Sequence, residues 1–262
     1  MQKLRLRYAK RGRLRFTSHR DVARAFERAL RRAGVPMAYS QGFSPHPKVS
    51  WVSAAPTGVA SEAEYVEIQV VERVDPEVLR RELDAALPPG LDVLEVVEAG
   101  PGSLAERIDA SLWRIELPGV DPEELAGAVR ALLAADKVEV ERLTKDGRRT
   151  VDARAAVVRA EVGTTPEGAV SSAVAPGDGA AGTTTAHTAD WPVPEQPCGI
   201  LVTVVRQTTP AVRPDDVLSA LRVVADLVPP VPAKATRMAQ GRLDDDGRLA
   251  DPLAVDRAAV SR

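Results

Sequence analysis

Arg20, Arg24, Arg28 and the Arg31/Arg32 pair recur at three- and four-residue intervals, the spacing that aligns side chains on one face of an α-helix. Over about 18 Å of helix, at roughly 1.5 Å per residue, such a row of guanidiniums suits a run of phosphates, because Arg offers a planar, bidentate fork. Counterion release would make the face bind nucleic acid in a salt-dependent way. The plainer alternative is a solvated face in an Arg-rich chain. Lys3, Arg5, Arg7, Lys10, Arg11, Arg13 and Arg15 add charge to the same end of the sequence. Tyr8, Phe16, Tyr39, Phe43 and Trp51, five of the nine aromatic residues, also fall there and offer faces for base stacking.

A second stretch, Tyr39-Ser40-Gln41-Gly42-Phe43-Ser44-Pro45-His46-Pro47-Lys48, sets two prolines around a histidine. Gly42 permits a turn and the prolines stiffen the chain, so Phe43, His46 and Lys48 are presented with little entropy left to lose. Such a loop suits recognition or catalysis. It equally suits a stiff connection with Phe43 in the core and His46 merely hydrogen-bonded. His19 makes an acid–base pair with His46 conceivable, acting on a phosphodiester, although a histidine at a helix start more often only orients the first turn. His19, Asp21 and His46 do not fit a compact zinc spacing and no cysteine pair supports them, so no metal is expected. No glycine-rich phosphate loop, nucleophile elbow or dinucleotide fingerprint occurs. The candidate nucleic-acid-binding residues are Arg5, Arg7, Arg20, Arg24, Arg28, Arg31, Arg32, Phe43, His46 and Lys48, and the catalytic candidates are His19 and His46.

The elements that must position these residues follow from the hydropathy pattern. Leu4, Leu6 and Tyr8 alternate with Lys3, Arg5 and Arg7 in a strand. Ser18 is a fitting N-cap, with Asp21 three residues on. Val22, Phe26, Ala29, Leu30 and Ala33 form the apolar stripe of a helix that Gly34-Val35-Pro36 ends. Short extended segments follow at 37–40 and 49–55, then a strand at 65–71, a helix at 75–87 with Pro76 in its first turn, and a strand at 91–97. This order is the ferredoxin-like pattern, strand–helix–strand–strand–helix–strand. It recurs as a strand at 112–117, a helix at 121–134 and a strand at 138–144. A Lys145-Asp146-Gly147-Arg148 turn leads into 151–162, followed by a strand at 200–206, a helix at 214–225 and a strand at 233–240.

The expected fold is therefore α+β, two tandem ferredoxin-like (βαββαβ) halves over 1–100 and 104–240, divided near Gly100–Ser103. Residues 163–198, dominated by Ala, Gly, Thr, Ser and Pro, cannot bury enough apolar area to offset their ordering entropy. They are expected to form a disordered insertion in the second half, with His187 exposed and Trp191 docking its end. Residues 241–262, with Asp244-Asp245-Asp246 near their start, are expected to be a loosely ordered tail.

Composition bounds the function classes. The 262 residues are 44% hydrophobic and 27% charged, ordinary for a soluble globular protein. No apolar run approaches the roughly 20 residues that span a bilayer, and Met1 leads into Lys3, Arg5 and Arg7 without a signal-peptide core. A cytoplasmic location without membrane contact is expected. The single Cys198 excludes a disulfide framework, a four-cysteine zinc site and an iron–sulfur cluster held by this chain alone. The net charge of -2 conceals an asymmetry: residues 1–50 hold 13 Lys/Arg against Asp21 and Glu27, a net of +11, and the remainder nets -13. A chain polarised in this way attracts polyanions or an acidic partner surface.

Three linked motifs, Arg15-Phe16-Thr17-Ser18-His19-Arg20-Asp21, Glu27-Arg28-Ala29-Leu30-Arg31-Arg32-Ala33-Gly34-Val35-Pro36 and Ser40-Gln41-Gly42-Phe43-Ser44-Pro45-His46-Pro47, closely resemble the uncharacterised bacterial radical SAM-linked (radical SAM-associated) protein domain family. The similarity extends through Gly58, Ser61, Glu64-Tyr65, Lys145-Asp146-Gly147 and Val151-Asp152-Ala153-Arg154. It covers most of 1–160 and, more loosely, 199–240. In that family the domain follows a radical SAM enzyme in one polypeptide or is encoded beside one. This chain resembles the stand-alone form, since it lacks the three-cysteine motif. The resemblance implies an accessory role beside a separate radical SAM enzyme, with RNA or ribosome-related modification as the expected setting. The partner would carry the iron–sulfur cluster and S-adenosylmethionine, and this chain alone no cofactor. The basic end adds RNA as the expected second partner. Tandem ferredoxin-like halves with a basic face also resemble CRISPR repeat-RNA endoribonucleases, by fold-level analogy only. A metal-independent endoribonuclease-like enzyme using His46 and His19, and a purely protein-docking subunit, stay open as alternatives.

Overall fold

The computed structural model describes residues 1–144, 147–163 and 197–260, a mixed α+β protein whose strands pair mostly antiparallel. It divides into two compact units. The first comprises Met1–Asp109, Thr236–Arg242 and Ala250–Arg262; the second comprises Ala110–Ala235 and Leu243–Leu249. The insertion expected at 163–198, with His187 and Trp191, lies outside the described residues except at its ends, where Cys198 opens a strand. Among the described residues no helix is long and apolar enough to cross a membrane.

In the first unit, β1 (Gln2–Lys10) lies between β3 (Ala60–Val70) and β4 (Leu91–Glu98), antiparallel to both. β2 (Val49–Val52) pairs antiparallel with the far side of β3, giving the order β4-β1-β3-β2. The Thr236–Arg242 part of β10 (Lys234–Leu243) returns to pair parallel with the start of β3, Arg237 opposite Ser61. Leu4, Leu6 and Tyr8 point into a core shared with Val66, Ile68 and Leu91. Two helices close that core. α1 (His19–Arg32) begins where the Ser18 hydroxyl accepts the Asp21 N–H and donates to the Asp21 carboxylate, and it buries Val22, Phe26, Ala29 and Leu30. α2 (Pro76–Ala86) begins where the Asp75 carboxylate accepts the N–H groups of Glu77 and Val78, both at 2.9 Å, and it buries Leu79 and Leu83. Proline at the first helical position lacks an N–H that would have gone unbonded anyway.

The opposite face of β1 is covered too. Arg5 is buried there, and Val52, Ala63, Tyr65, Val97, Leu104, Ile108 and Leu253 form a second apolar cluster. Leu104 and Ile108 draw the chain past Gly100–Ser103 into this cluster, so the first unit runs on to Asp109. The tail also differs from expectation. Residues Ala254–Val260 form helix α6, and Leu253 and Asp256 are fully buried. Asp256 accepts from Arg5, Arg107 and the Gly100 N–H, which fixes the segment to the first unit.

In the second unit, β5 (Ala110–Pro118), β9 (Cys198–Arg206) and β8 (Val157–Val162) form an antiparallel sheet in the order β5-β9-β8. Helices α3 (Pro122–Ala134) and α5 (Pro214–Ala225) pack on each other. β6 (Glu139–Thr144) and β7 (Gly147–Asp152) make a separate two-stranded hairpin; Lys145 and Asp146 of the expected turn lie outside the described residues. The strand expected at 151–162 is broken by one helical turn, α4 (Ala153–Ala156). The Asp152 carboxylate accepts from the N–H groups of Val138 and Ala155, and the turn buries Ala153 and Ala156, so local capping overrides the strand pattern.

Candidate nucleic-acid interface

The arginine row is a surface. Arg20, Arg24, Arg28, Arg31 and Arg32 are all exposed, while the apolar stripe of α1 turns inward. Arg24 lies 3.7 Å from Asp21 in a solvated i,i+3 pair. Arg32 donates to the Ala86 carbonyl at 3.1 Å. Arg20, Arg28 and Arg31 have no ion-pair partner among the described residues. Phe26 sets the rotation of the helix: its ring meets Tyr8 at 4.7 Å and Trp51 at 5.2 Å, both edge to face, which leaves the arginines outward.

Two expected members do not belong to this surface. Arg5 is only 2% exposed, and its guanidinium is consumed by Asp256 at 2.8 and 3.1 Å, Glu67 at 3.0 Å and the Gly102 carbonyl. Arg7 is half-buried and donates Nε to the Glu62 carbonyl at 2.9 Å. A strand with both faces covered leaves no solvent side for them. Of the other early cations, Lys10 is buried on the carbonyls of Ala55 and Pro56. That burial chiefly pushes its ammonium pKa down. Arg11 is held by Glu62 and Asp92. The hydrogen bonding that Arg11 donates to the Glu62 carboxylate is the main cause that raises the Arg11 pKa. The basic end is thus narrower than its sequence charge, and centres on α1.

The Ser40–Pro47 loop is closed at its base. The Ser40 N–H donates to the His46 carbonyl at 2.9 Å and the Lys48 N–H to the Ala38 carbonyl at 2.8 Å. Tyr39 and Pro47 form a bridge. The Ser40 hydroxyl accepts the His46 N–H at 3.1 Å and lies 2.9 Å from His46 Nδ1. Gly42 sits at φ +127°, a conformation that favours glycine. Phe43 at the tip is fully exposed, so it is not a core residue. His46 and Lys48 are exposed as well.

Below the loop lies a groove of about 270 Å³ lined by Lys3, His46, Lys48, Ser50, Glu67 and Gln69 among others. Glu67 is bonded there by Lys3 at 3.3 Å as well as by Arg5. Ser50, Glu67 and Gln69 escape sequence reasoning, because they meet only through the β2–β3 register, which sets Ser50 opposite Glu67.

The two histidines have separate neighbours. The His19 ring stands 5.3 Å from that of Trp51, edge to face, and His46 is held by Ser40. Among the described residues, no group of three or more His, Cys, Asp or Glu is placed to hold a metal.

No curated protein matches the chain. The model of one family, described as an uncharacterized protein conserved in bacteria (DUF2344), matches residues 3–214, which include α1, the Ser40–Pro47 loop and the groove. The chain belongs to this uncharacterised bacterial family.

Proposed function

We propose that this protein is a non-catalytic accessory module that binds structured RNA through α1 and assists a separate radical SAM enzyme in modifying it. The observation that carries the RNA reading is the exposed row Arg20, Arg24, Arg28, Arg31 and Arg32 on one helix face. Arginines spaced along one face, all but Arg24 without a carboxylate partner among the described residues, suit a phosphate backbone. The radical SAM partner rests on the motif resemblance over Arg15–Asp21, Glu27–Pro36 and Ser40–Pro47. The partner supplies the iron–sulfur cluster and S-adenosylmethionine. We further read each half as ferredoxin-like, with support in the β4-β1-β3-β2 order of the first unit and its two helices.

Retention of total tRNA and rRNA fragments on the immobilised protein, measured against salt, tests the RNA reading. Binding at low salt that weakens steeply with salt is the expected result; no binding at low salt contradicts it. Strand integrity after incubation separates a binder from an enzyme: the RNA stays whole, whereas cleavage would favour phosphodiester chemistry at His46 or His19. Co-purification from the native host is expected to bring down a radical SAM enzyme. Recovery of an acidic protein without RNA would favour a protein-docking subunit instead.

A further inference from the structure

The Ser40–Pro47 loop and its groove are unexplained by a purely electrostatic role for α1. An aromatic ring on a loop tip, fully exposed and three residues from a groove-lining histidine, forgoes burial in the core for no structural gain. The loop that carries it is tied at its base by two backbone hydrogen bonds, which make the Tyr39–Pro47 bridge. The backbone that presents the ring is therefore held at the base of the loop. The groove, at about 270 Å³, lies close to the lower end of the roughly 300–1,000 Å³ typical of drug-sized ligand sites. The acid in its lining, Glu67, is already bonded by Lys3 and Arg5. Lys48 has no ion-pair partner among the described residues, so the lining keeps a surplus of positive charge.

We infer that this corner takes one unpaired nucleotide of the bound RNA, with Phe43 as the face on which its base stacks and Lys48 as the cation beside its phosphate. This rests on the RNA reading of α1 and narrows its substrate class to RNA with a bulged, looped or terminal base. Paired bases have both faces occupied by their neighbours in the stack; an unpaired base offers a free π-face, and stacking on an aromatic side chain tolerates any base.

Two RNA hairpins of equal length, each closed by a non-nucleotide linker so that no loop base is present, one fully paired and one with a single 2-aminopurine bulge, test the inference by fluorescence anisotropy and by 2-aminopurine quenching. The wild-type protein is expected to bind the bulged hairpin about tenfold more tightly and to quench its fluorophore. Phe43→Ala removes the preference and the quenching and leaves affinity for the paired hairpin unchanged; Phe43→Trp retains all three. Lys48→Gln weakens binding of the bulged hairpin more than of the paired one. Phe43 lies outside the core, so an unchanged melting temperature is expected for its variants. Equal wild-type binding of both hairpins overturns the inference and leaves the α1 reading standing. A preference that survives Phe43→Ala also overturns it. Failure of both hairpins to bind at low salt removes the RNA reading and this inference together.

Discussion

Arg5 and Asp256 stand 251 residues apart in the chain and form a buried, two-pronged ion pair, with Arg5 Nη1 at 2.8 and 3.1 Å from the two carboxylate oxygens. Arg107 Nη1 lies 2.8 Å from the same carboxylate, and the Gly100 N–H donates to it. One carboxylate thus holds the C-terminal helix against two arginines of the first unit.

Removing that carboxylate leaves the buried Arg5 guanidinium with Glu67, already shared with Lys3, as its remaining carboxylate partner. Asp256→Ala is expected to destabilise the first unit by about 3–5 kcal/mol, the range for breaking a buried ion pair by deleting one partner. Urea denaturation followed by Trp fluorescence measures it. Arg73→Gln, which breaks the solvated pair with Glu98, should change stability by no more than about 0.5 kcal/mol. Equal effects from the two changes would contradict the clamp.

The two faces of α1 should separate under mutation. Phe26→Ala removes a ring packed on Tyr8 and Trp51 and is expected to cost about 3–5 kcal/mol. The triple change Arg20→Gln, Arg24→Gln, Arg28→Gln alters exposed positions only, each within about 0.5 kcal/mol. Thermal melts of both proteins check the helix phase; a triple variant that unfolds while Phe26→Ala stays intact would reverse it.

Alkaline stability follows from two buried phenols. Burial, with Glu64 adding to it, raises the Tyr8 pKa well above 10.0, and burial also raises that of Tyr65. Above pH 10 the unfolded chain therefore releases phenolic protons that the folded chain still holds. The stability these groups contribute is fully present below about pH 10 and falls as pH rises beyond it. Lys10 acts in the opposite sense: its burial-lowered pKa is a cost at low pH that is relieved as pH climbs to 10.5. Above pH 10.5 the Lys10 relief is complete, and the two phenols set a decline. Melting temperature measured from pH 9 to 11.5 is expected to drop for the wild type and to drop less for Tyr8→Phe and Tyr65→Phe; identical slopes would exclude the phenols as the cause.

What could be read in the sequence was local. The phase of α1 was legible because its arginines and its apolar residues alternate at helical spacing with maximal contrast, and the Ser18 cap and Gly34 stop bracket it. The stiff Ser40–Pro47 loop was legible from Gly42, Pro45 and Pro47. What was missed depends on distant partners. Alternation in β1 placed Arg5 opposite Leu4 and Leu6 but could not show that this second face is covered, since Asp256 lies at the far end of the chain. The signal for it was in β3 and β4, where Tyr65-Val66 and Val96-Val97 put apolar residues on both faces of the sheet. In the tail, the Asp244–Asp246 run drew attention from Leu253, which anchors it. At 153–156, a single capping carboxylate turned an apparent strand into a helical turn.

The salt dependence of affinity for one structured RNA, compared between the wild type and the Arg20→Gln, Arg24→Gln, Arg28→Gln protein, tests the RNA-binding role of α1 most directly. Each phosphate that is no longer neutralised lowers the log–log slope by up to about 0.9 on a duplex-like site. The account predicts that the folded triple variant binds more weakly and with a slope flattened by up to about 2.7, for three such phosphates. A triple variant that folds normally and keeps the wild-type affinity and slope would contradict it.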